Sequence, residues 1–347
     1  MVEANIRMVK EARLNGRFDK TAPGLPLNWS GSGFEIKVRG SFFDIEIECE
    51  YTSLRPYVSF EVDGLRSQTF APLKGANRYT VFCNMNPEKA HDVRVTLETQ
   101  LFPNDAKISV QKVYTDGECL APEKRACRIE FIGDSITSGE GCRGPVSFQE
   151  WLPMMFSSTD NYTRFVSDMM NAEYQAVSQS GWGVVCAWNN EERCNMPSIY
   201  DKIQAGSESY DFSFHPDYVV IALGTNDRNA LSQPAFMNPV TGKAYKLTQN
   251  DMPMWTDRAL SFIEFVHEKN PGAKILWVSF FGSGPIVNAI DDAVSRAREK
   301  SIPVLHEIAL DLNHAVRGHM GSRQHPGVNA HRSAAKKIVK ALRKSHF

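Results

Sequence analysis

The sequence predicts two folded units in series, an antiparallel β-sandwich over residues 1–120 and a flavodoxin-like, three-layer α/β domain over residues 126–347. Three observations carry this. Across residues 34–114 apolar side chains recur at every second position with no helical stretch between them, as in half-buried antiparallel strands. From residue 128 onward short apolar runs alternate with amphipathic helical patterns, which implies a parallel sheet covered on both faces. Between them, residues 116–125, with Gly117 and Pro122, read as a linker.

In the first half, Phe43, Ile45, Ile47, Cys49 and Tyr51 alternate with Asp44, Glu46, Glu48 and Glu50, so one face is apolar and the other acidic. Val58, Phe60 and Val62 repeat the alternation, as do Val93, Val95 and Leu97, and Asp63-Gly64, Lys74-Gly75 and Asn86-Pro87 supply turns. In the second half, strands are expected at 128–132, 173–178, 218–223, 275–281 and 304–308, with helices at 164–170, 257–268, 289–300 and 330–344. Segments 141–161 and 229–255 are too long for simple connections and rich in Pro, Asn, Ser and aromatics. They are expected to wall a substrate site with Phe148, Trp151, Phe156, Phe236, Tyr245 and Trp255, or to be pinned to the body by those rings.

With 347 residues the chain has room for both units, and a formal net charge of −1 offers no basic face, so neither nucleic acid nor an anionic membrane is an expected partner. No apolar run is long enough to span a bilayer, and residues 1–17 are charged, without the apolar centre of a signal peptide. The chain is therefore expected inside the cell, or outside it if a signal has been removed. Its seven cysteines are odd in number and lack the two-residue spacing of a zinc or redox motif, which makes free thiols the default. Cys119 with Cys127, and Cys186 with Cys194, remain open as pairs in an oxidising compartment. Asn28-Trp29-Ser30 and Asn161-Tyr162-Thr163 match the glycosylation pattern. His306, His314 and His319 lack metal-ligand spacing, and Gly282-Ser283-Gly284-Pro285 lacks the third glycine of a dinucleotide loop, so no metal and no cofactor is expected.

The chemistry is expected at Gly133-Asp134-Ser135, behind the strand at 128–132. Gly133 lets the backbone turn sharply, placing Ser135 at the carboxyl end of a parallel strand where a helix begins; ligands of open α/β sheets bind there. Ser135 reads as a nucleophile with helix-start N–H groups beside it, and the plainer alternative is a turn capped by Asp134 or Ser135. Three further stretches follow in order: Ser180-Gly181-Trp182 after the second strand, Gly224-Thr225-Asn226-Asp227 after the third, and His325-Pro326 near the C-terminus.

This ordered set resembles the four blocks of the SGNH (GDSL-like) hydrolases. The resemblance implies Ser135 as nucleophile, His325 as base, and an oxyanion hole made by the N–H groups of Ser135 and Gly181 with the Asn226 amide. Gly16-Arg17-Phe18 and residues 26–32 ahead of the first strands are similar to the start of carbohydrate esterase family 2. Gly133 to Gly141, Gly224 to Asp227, and His325-Pro326 with His331 extend that likeness over most of the chain. It implies a jelly-roll sandwich before the hydrolase and removal of acetyl groups from O-acetylated carbohydrate, xylan or related hemicellulose, without a cofactor. The superfamily usually carries an Asp two or three residues before the catalytic His, whereas Ser322, Arg323 and Gln324 stand here. A Ser–His dyad with a main-chain carbonyl orienting the ring is the expectation, and Glu307, Asp311 or another distant acid is the alternative.

Asp134, Trp182, Trp188, Asp227 and Trp255 are the candidate substrate-binding residues, the tryptophans because sugar faces stack on aromatics. His331 is expected to cap or pack the last helix. Two other functions compete with acetyl ester hydrolysis. One is a lipase or thioesterase of the same superfamily; the other is a carbohydrate-binding protein whose esterase activity is weak or lost.

Overall fold

The computed structural model describes residues 2–102, 105–311 and 319–344, leaving His314 and the chain's last three residues outside the described set. The first half forms two antiparallel sheets. One runs in the order Val2–Asn5, Ala106–Thr115, Phe43–Tyr51, Gly75–Phe82, and the other Glu118–Leu120, Gly33–Arg39, Ala90–Leu97, Val58–Val62, Leu65–Phe70. The alternation in Phe43–Tyr51 decides which way it faces: Phe43, Ile45, Ile47 and Cys49 are wholly buried against Phe34, Ile36, Phe60 and Val95 of the other sheet. The linker expectation needs correction. Glu118–Leu120 pairs with Gly33–Arg39, and the Asp116 carboxylate accepts from the Ser41 amide at 2.8 Å, so part of 116–125 is an edge strand too short to show a period.

The second half is built on five parallel strands, β1 (Cys127–Gly133), β2 (Ala172–Ser178), β3 (Tyr218–Ala222), β4 (Lys274–Ser279) and β5 (Val304–Ile308), in the order β2-β1-β3-β4-β5. This is the flavodoxin order, with its switch point between β1 and β3. The helices are α1 (Ser135–Ser138), α2 (Tyr162–Met170), α3 (Thr225–Ala230), α4 (Met252–Lys269), α5 (Pro285–Glu299) and α6 (Val328–Leu342). Each uniformly apolar strand feeds two cores. Val219 and Ile221 of β3 pack with Phe262 and Ile263 of α4 and Ile286 and Ile290 of α5, while Val220 and Ala222 pack with Val166 of α2 and Ile338 of α6. Among the described residues no helix is long and apolar enough to cross a membrane. All seven cysteines are free, so neither Cys119–Cys127 nor Cys186–Cys194 is bonded. Asn161 is wholly buried, where it caps α2 by accepting from the Arg164 amide at 3.3 Å, so this sequon is not accessible in the folded chain.

The two halves are tied by buried polar groups. Arg17, with a fully buried side chain, reaches 2.8 Å from Glu130 of β1, and its guanidinium lies 4.9, 4.3 and 5.2 Å from the ring centroids of Tyr200, Tyr210 and Phe212. Glu98, just beyond Ala90–Leu97, is also wholly buried; it accepts from the Ser158 amide at 2.9 Å and from Arg143 at 3.1 Å. Two residues further on, Gln100 accepts from the Ser180 amide at 2.7 Å and from Ser138 Oγ at 2.9 Å. The first half therefore reaches the edge of the sheet where β1, β2 and β3 end.

Candidate active site

Gly133 closes β1 where no side chain fits, since a Cβ there would stand 1.9 Å from Thr137 Oγ1. Asp134 then caps α1 by accepting from the Ile136 amide at 3.0 Å, which sets Ser135 as the first residue of a single helical turn. Gly139 ends that turn in the left-handed region at φ 80°, where a Cβ would strike the Ser157 carbonyl. Gly181 follows β2 with φ 82°, and Gly224 follows β3 with φ 110° and starts α3, which carries Asn226. His325 comes from the loop before α6.

Ser135 Oγ lies 2.8 Å from His325 Nε2, and His325 Nδ1 lies 2.9 Å from the Arg323 carbonyl. A carbonyl only accepts, so Nδ1 carries the proton and the Nε2 lone pair faces the serine hydroxyl. Of the acids considered from sequence, Glu307 pairs with Lys344 at 3.0 Å on β5, away from the ring, and Asp311 packs against Gly282. The His325 loop is unusual: Arg323 and Gln324 have φ of 53° and 57°. Left-handed backbone costs a non-glycine residue about 1–2 kcal/mol. The loop is held from outside itself, by the Ser322 amide donating to Gly141 O at 2.9 Å and the Arg323 amide to Phe148 O at 2.9 Å. Gly141 (φ 67°) makes that approach possible, because a Cβ would stand 2.3 Å from Ser322 O and 2.8 Å from His325 Cβ.

These residues open into one cleft of about 660 Å³, lined by Ser135, Gly181, Asn226, His325, Trp188 and Phe102. Asn226 Nδ2 donates to Trp182 O at 3.0 Å and to Asp134 Oδ2 at 3.2 Å. Burial pushes Asp134 up to about 7, with the charges of Glu140 and Asp227 adding to it. Asp227 is wholly buried and raised by that burial, and it accepts from the Val184 and Val185 amides at 2.9 Å each.

Several expected binding residues take other places. Asp134 and Asp227 are 1% and 0% exposed and brace the turns of the site. Trp182 packs half-buried on the core and offers its carbonyl, whereas Trp188 is 49% exposed with its ring against Gly181 at the cleft. Trp255 is corrected outright: it is fully buried with its ring centroid 6.3 Å from that of Trp277, because residues 252–255 form the first turn of α4 rather than a loop. Of the expected wall aromatics, Trp151 lines the cleft, Phe156 is buried beneath it at 5.3 Å, and Tyr245 borders a separate groove with Phe262 and Phe265. Phe102 and Glu140 belong to the site without having been read from sequence, and the main-chain carbonyl expected to orient His325 is that of Arg323. Phe102 stands 5.4 Å from Trp151, and its stretch of chain has no period to mark it; the run Glu98-Thr99-Gln100, polar yet beside a strand, was the available signal.

A second Ser–His–Asp series occurs at β4 and β5: His306 Nε2 meets Ser279 Oγ at 2.8 Å and its Nδ1 meets Asp291 at 2.7 Å. Ser279 is wholly buried, so the series ties β4 and β5 to α5. His331 is also wholly buried, its Nδ1 accepting from the Tyr162 amide at 3.2 Å and its ring stacked on Tyr162. No group of three or more His, Cys, Asp or Glu suited to a metal occurs among the described residues.

A flavodoxin-ordered sheet whose Ser, Gly, Asn and His blocks converge on one cleft defines the class of SGNH hydrolases. The GDSL-like lipase/acylhydrolase family model matches residues 131–343, and the chain belongs to that family. Its similarity to an acetyl xylan esterase (Est2A) from the rumen bacterium Butyrivibrio proteoclasticus runs through both halves, with 30% identity, TM-score 0.94, and 99% of this chain and 98% of that one covered. A family two carbohydrate esterase from Clostridium thermocellum, solved with cellohexaose, shares the fold at 21% identity and TM-score 0.81, covering 95% of this chain and 98% of that one. An acetylxylan esterase / glucomannan deacetylase of Cellvibrio japonicus is 25% identical over 249 residues, 66% of this chain. The curated relatives are longer proteins, of which the matched stretches are 26% and 63%.

Proposed function

We propose that the chain is a serine esterase that removes O-acetyl groups from plant cell-wall carbohydrate, xylan or a related hemicellulose, with Ser135 as nucleophile and His325 as base. The observation that carries this is the line from Ser135 Oγ through the His325 ring to the Arg323 carbonyl, with contacts of 2.8 and 2.9 Å, at the mouth of a cleft. Ser135 Oγ attacks the acetyl carbonyl as its proton passes to Nε2, and the oxyanion points to the Ser135 and Gly181 amides and Asn226 Nδ2. The longer of the two Asn226 bonds, to Asp134 at 3.2 Å, is the one the oxyanion replaces. Collapse expels the sugar oxygen, which takes the proton from Nε2; water activated by the same nitrogen then releases acetate and restores Ser135. The main-chain carbonyl fixes the tautomer that this sequence requires, in place of the usual Asp.

The lining favours a sugar alcohol over a long acyl chain. Asn229, Ser232 and Gln233 offer polar groups along the cleft, and Trp188, Trp151 and Phe102 offer faces on which a pyranose stacks. We read the two N-terminal sheets as a jelly roll at residues 1–120, preceding a hydrolase domain at 126–347. The likeness to Est2A over the whole chain supports both readings.

The test is acetate release from acetylated xylan, acetylated glucomannan and an aryl acetate, comparing the wild type with Ser135→Ala and His325→Ala. Activity that falls at least ~1000-fold in both variants is expected. Polysaccharide binding without Ser135-dependent release would make the chain a binding protein on an esterase fold instead. Preference for long acyl esters would favour the lipase or thioesterase reading.

A further inference from the structure

We propose that Glu140 is a positioning residue that supplies the charge the Arg323 carbonyl cannot, holding the His325 loop through Arg323 and placing its carboxylate on the Nε2 side of the ring. The proposal rests on reading Ser135 and His325 as nucleophile and base. Glu140 Oε1 lies 2.7 Å from Arg323 Nη1 and 4.0 Å from His325 Nε2, and its side chain is only 5% exposed. Its own amide donates to Ser135 O at 2.9 Å, so nucleophile and carboxylate ride on one rigid turn.

Residue 323 is gripped at both ends. Its amide donates to Phe148 O at 2.9 Å and its guanidinium pairs with Glu140, while its carbonyl, between them, faces His325 Nδ1 at 2.9 Å. A left-handed φ of 53° at an arginine persists only under such restraint. The Glu140–Arg323 pair therefore does by side chain what the loop's backbone preference would undo. A neutral carbonyl orients the ring but lends it no charge. When Nε2 takes the serine proton, the imidazolium forms beside a carboxylate that is already fixed and partly neutralised, so that it neither captures the proton nor strongly repels the oxyanion. The other groups around the ring are Asp134 behind the nucleophile turn, Arg228 across the cleft on α3, and His331 on α6, which burial keeps neutral.

The experiment measures kcat and KM for an aryl acetate across pH in the wild type, Glu140→Gln, Arg323→Met and Arg323→Lys, with an NMR titration of the His325 ring in each. Glu140→Gln is expected to lower kcat ~10- to 100-fold with KM nearly unchanged, and to move the acid limb of kcat/KM to lower pH. Arg323→Met is expected to lower kcat but to move that limb upward, because Glu140 loses its counter-charge, and Arg323→Lys to recover most of the turnover. A kcat and pH profile unchanged in Glu140→Gln overturns the proposal, and so does a fall in kcat that tracks lost thermal stability with the limb in place. Should the wild type lack Ser135-dependent hydrolysis, the esterase reading fails, and the NMR titration still decides: a lower midpoint in Glu140→Gln supports the placement of charge, and an identical one overturns it.

Discussion

Asn226 and Asp134 share a hydrogen bond that the proposed reaction must break. Replacing Asn226 by Ala removes one of the three proposed oxyanion donors and is expected to lower kcat ~100- to 1000-fold, about 3–4 kcal/mol, with a small change in KM; steady-state kinetics on an aryl acetate checks this. Asp134 is an acid raised by burial from its ordinary 3.8 to about 7. The folded chain therefore keeps a proton that the unfolded chain releases, and stability falls as pH rises from about 4 to about 7. Asp134→Asn keeps an acceptor for the Ile136 amide and removes the titration. It is expected to be more stable than wild type near pH 8, by at most ~4 kcal/mol, and little different near pH 4, as read by urea unfolding at both.

At the scale of elements, His331 joins α6 to the start of α2 and titrates the opposite way. Burial first, and the nearby His325 second, push it from 6.5 down to about 3, so it is neutral inside and charged when unfolded between those values. Its contribution is whole above about pH 6.5 and is lost as pH falls toward about 3. His331→Gln, which keeps an acceptor for the Tyr162 amide, is expected to flatten the decline of melting temperature between about pH 6 and about pH 4. The five parallel strands were legible because each is an apolar run, and a strand buried on both faces must be one. The four blocks were legible because Gly133, Gly181 and Gly224 mark the turns that set Ser135, Gly181 and Asn226 at strand ends. What sequence could not reveal depends on packing between distant segments. Glu140 looks like any helix-end acid until Arg323 folds over it, and Trp255 looked like loop because Pro253 hid the first turn of α4, where proline is tolerated.

In the whole molecule, the Arg17–Glu130 pair joins the N-terminal half to β1 of the hydrolase half. Both side chains are at most 1% exposed, so removing Arg17 leaves the buried Glu130 carboxylate without its counter-charge, held only by Tyr200 Oη at 2.7 Å and Gln175 Nε2 at 2.5 Å. Arg17→Met is expected to cost about 3–5 kcal/mol, measured by chemical denaturation, with the two halves still unfolding in one transition. Elsewhere, Phe102 of the first half and Trp151 of the second touch edge to face at 5.4 Å and together line one part of the cleft. That wall of the cleft is thus built by segments of both halves, which Gln100 ties together next to the site by accepting from Ser138 Oγ and the Ser180 amide, so its shape is set before a polysaccharide arrives. Encounter needs no closing step, so the observed binding rate should climb linearly with ligand concentration, and the ordering entropy of recognition falls on the sugar chain alone.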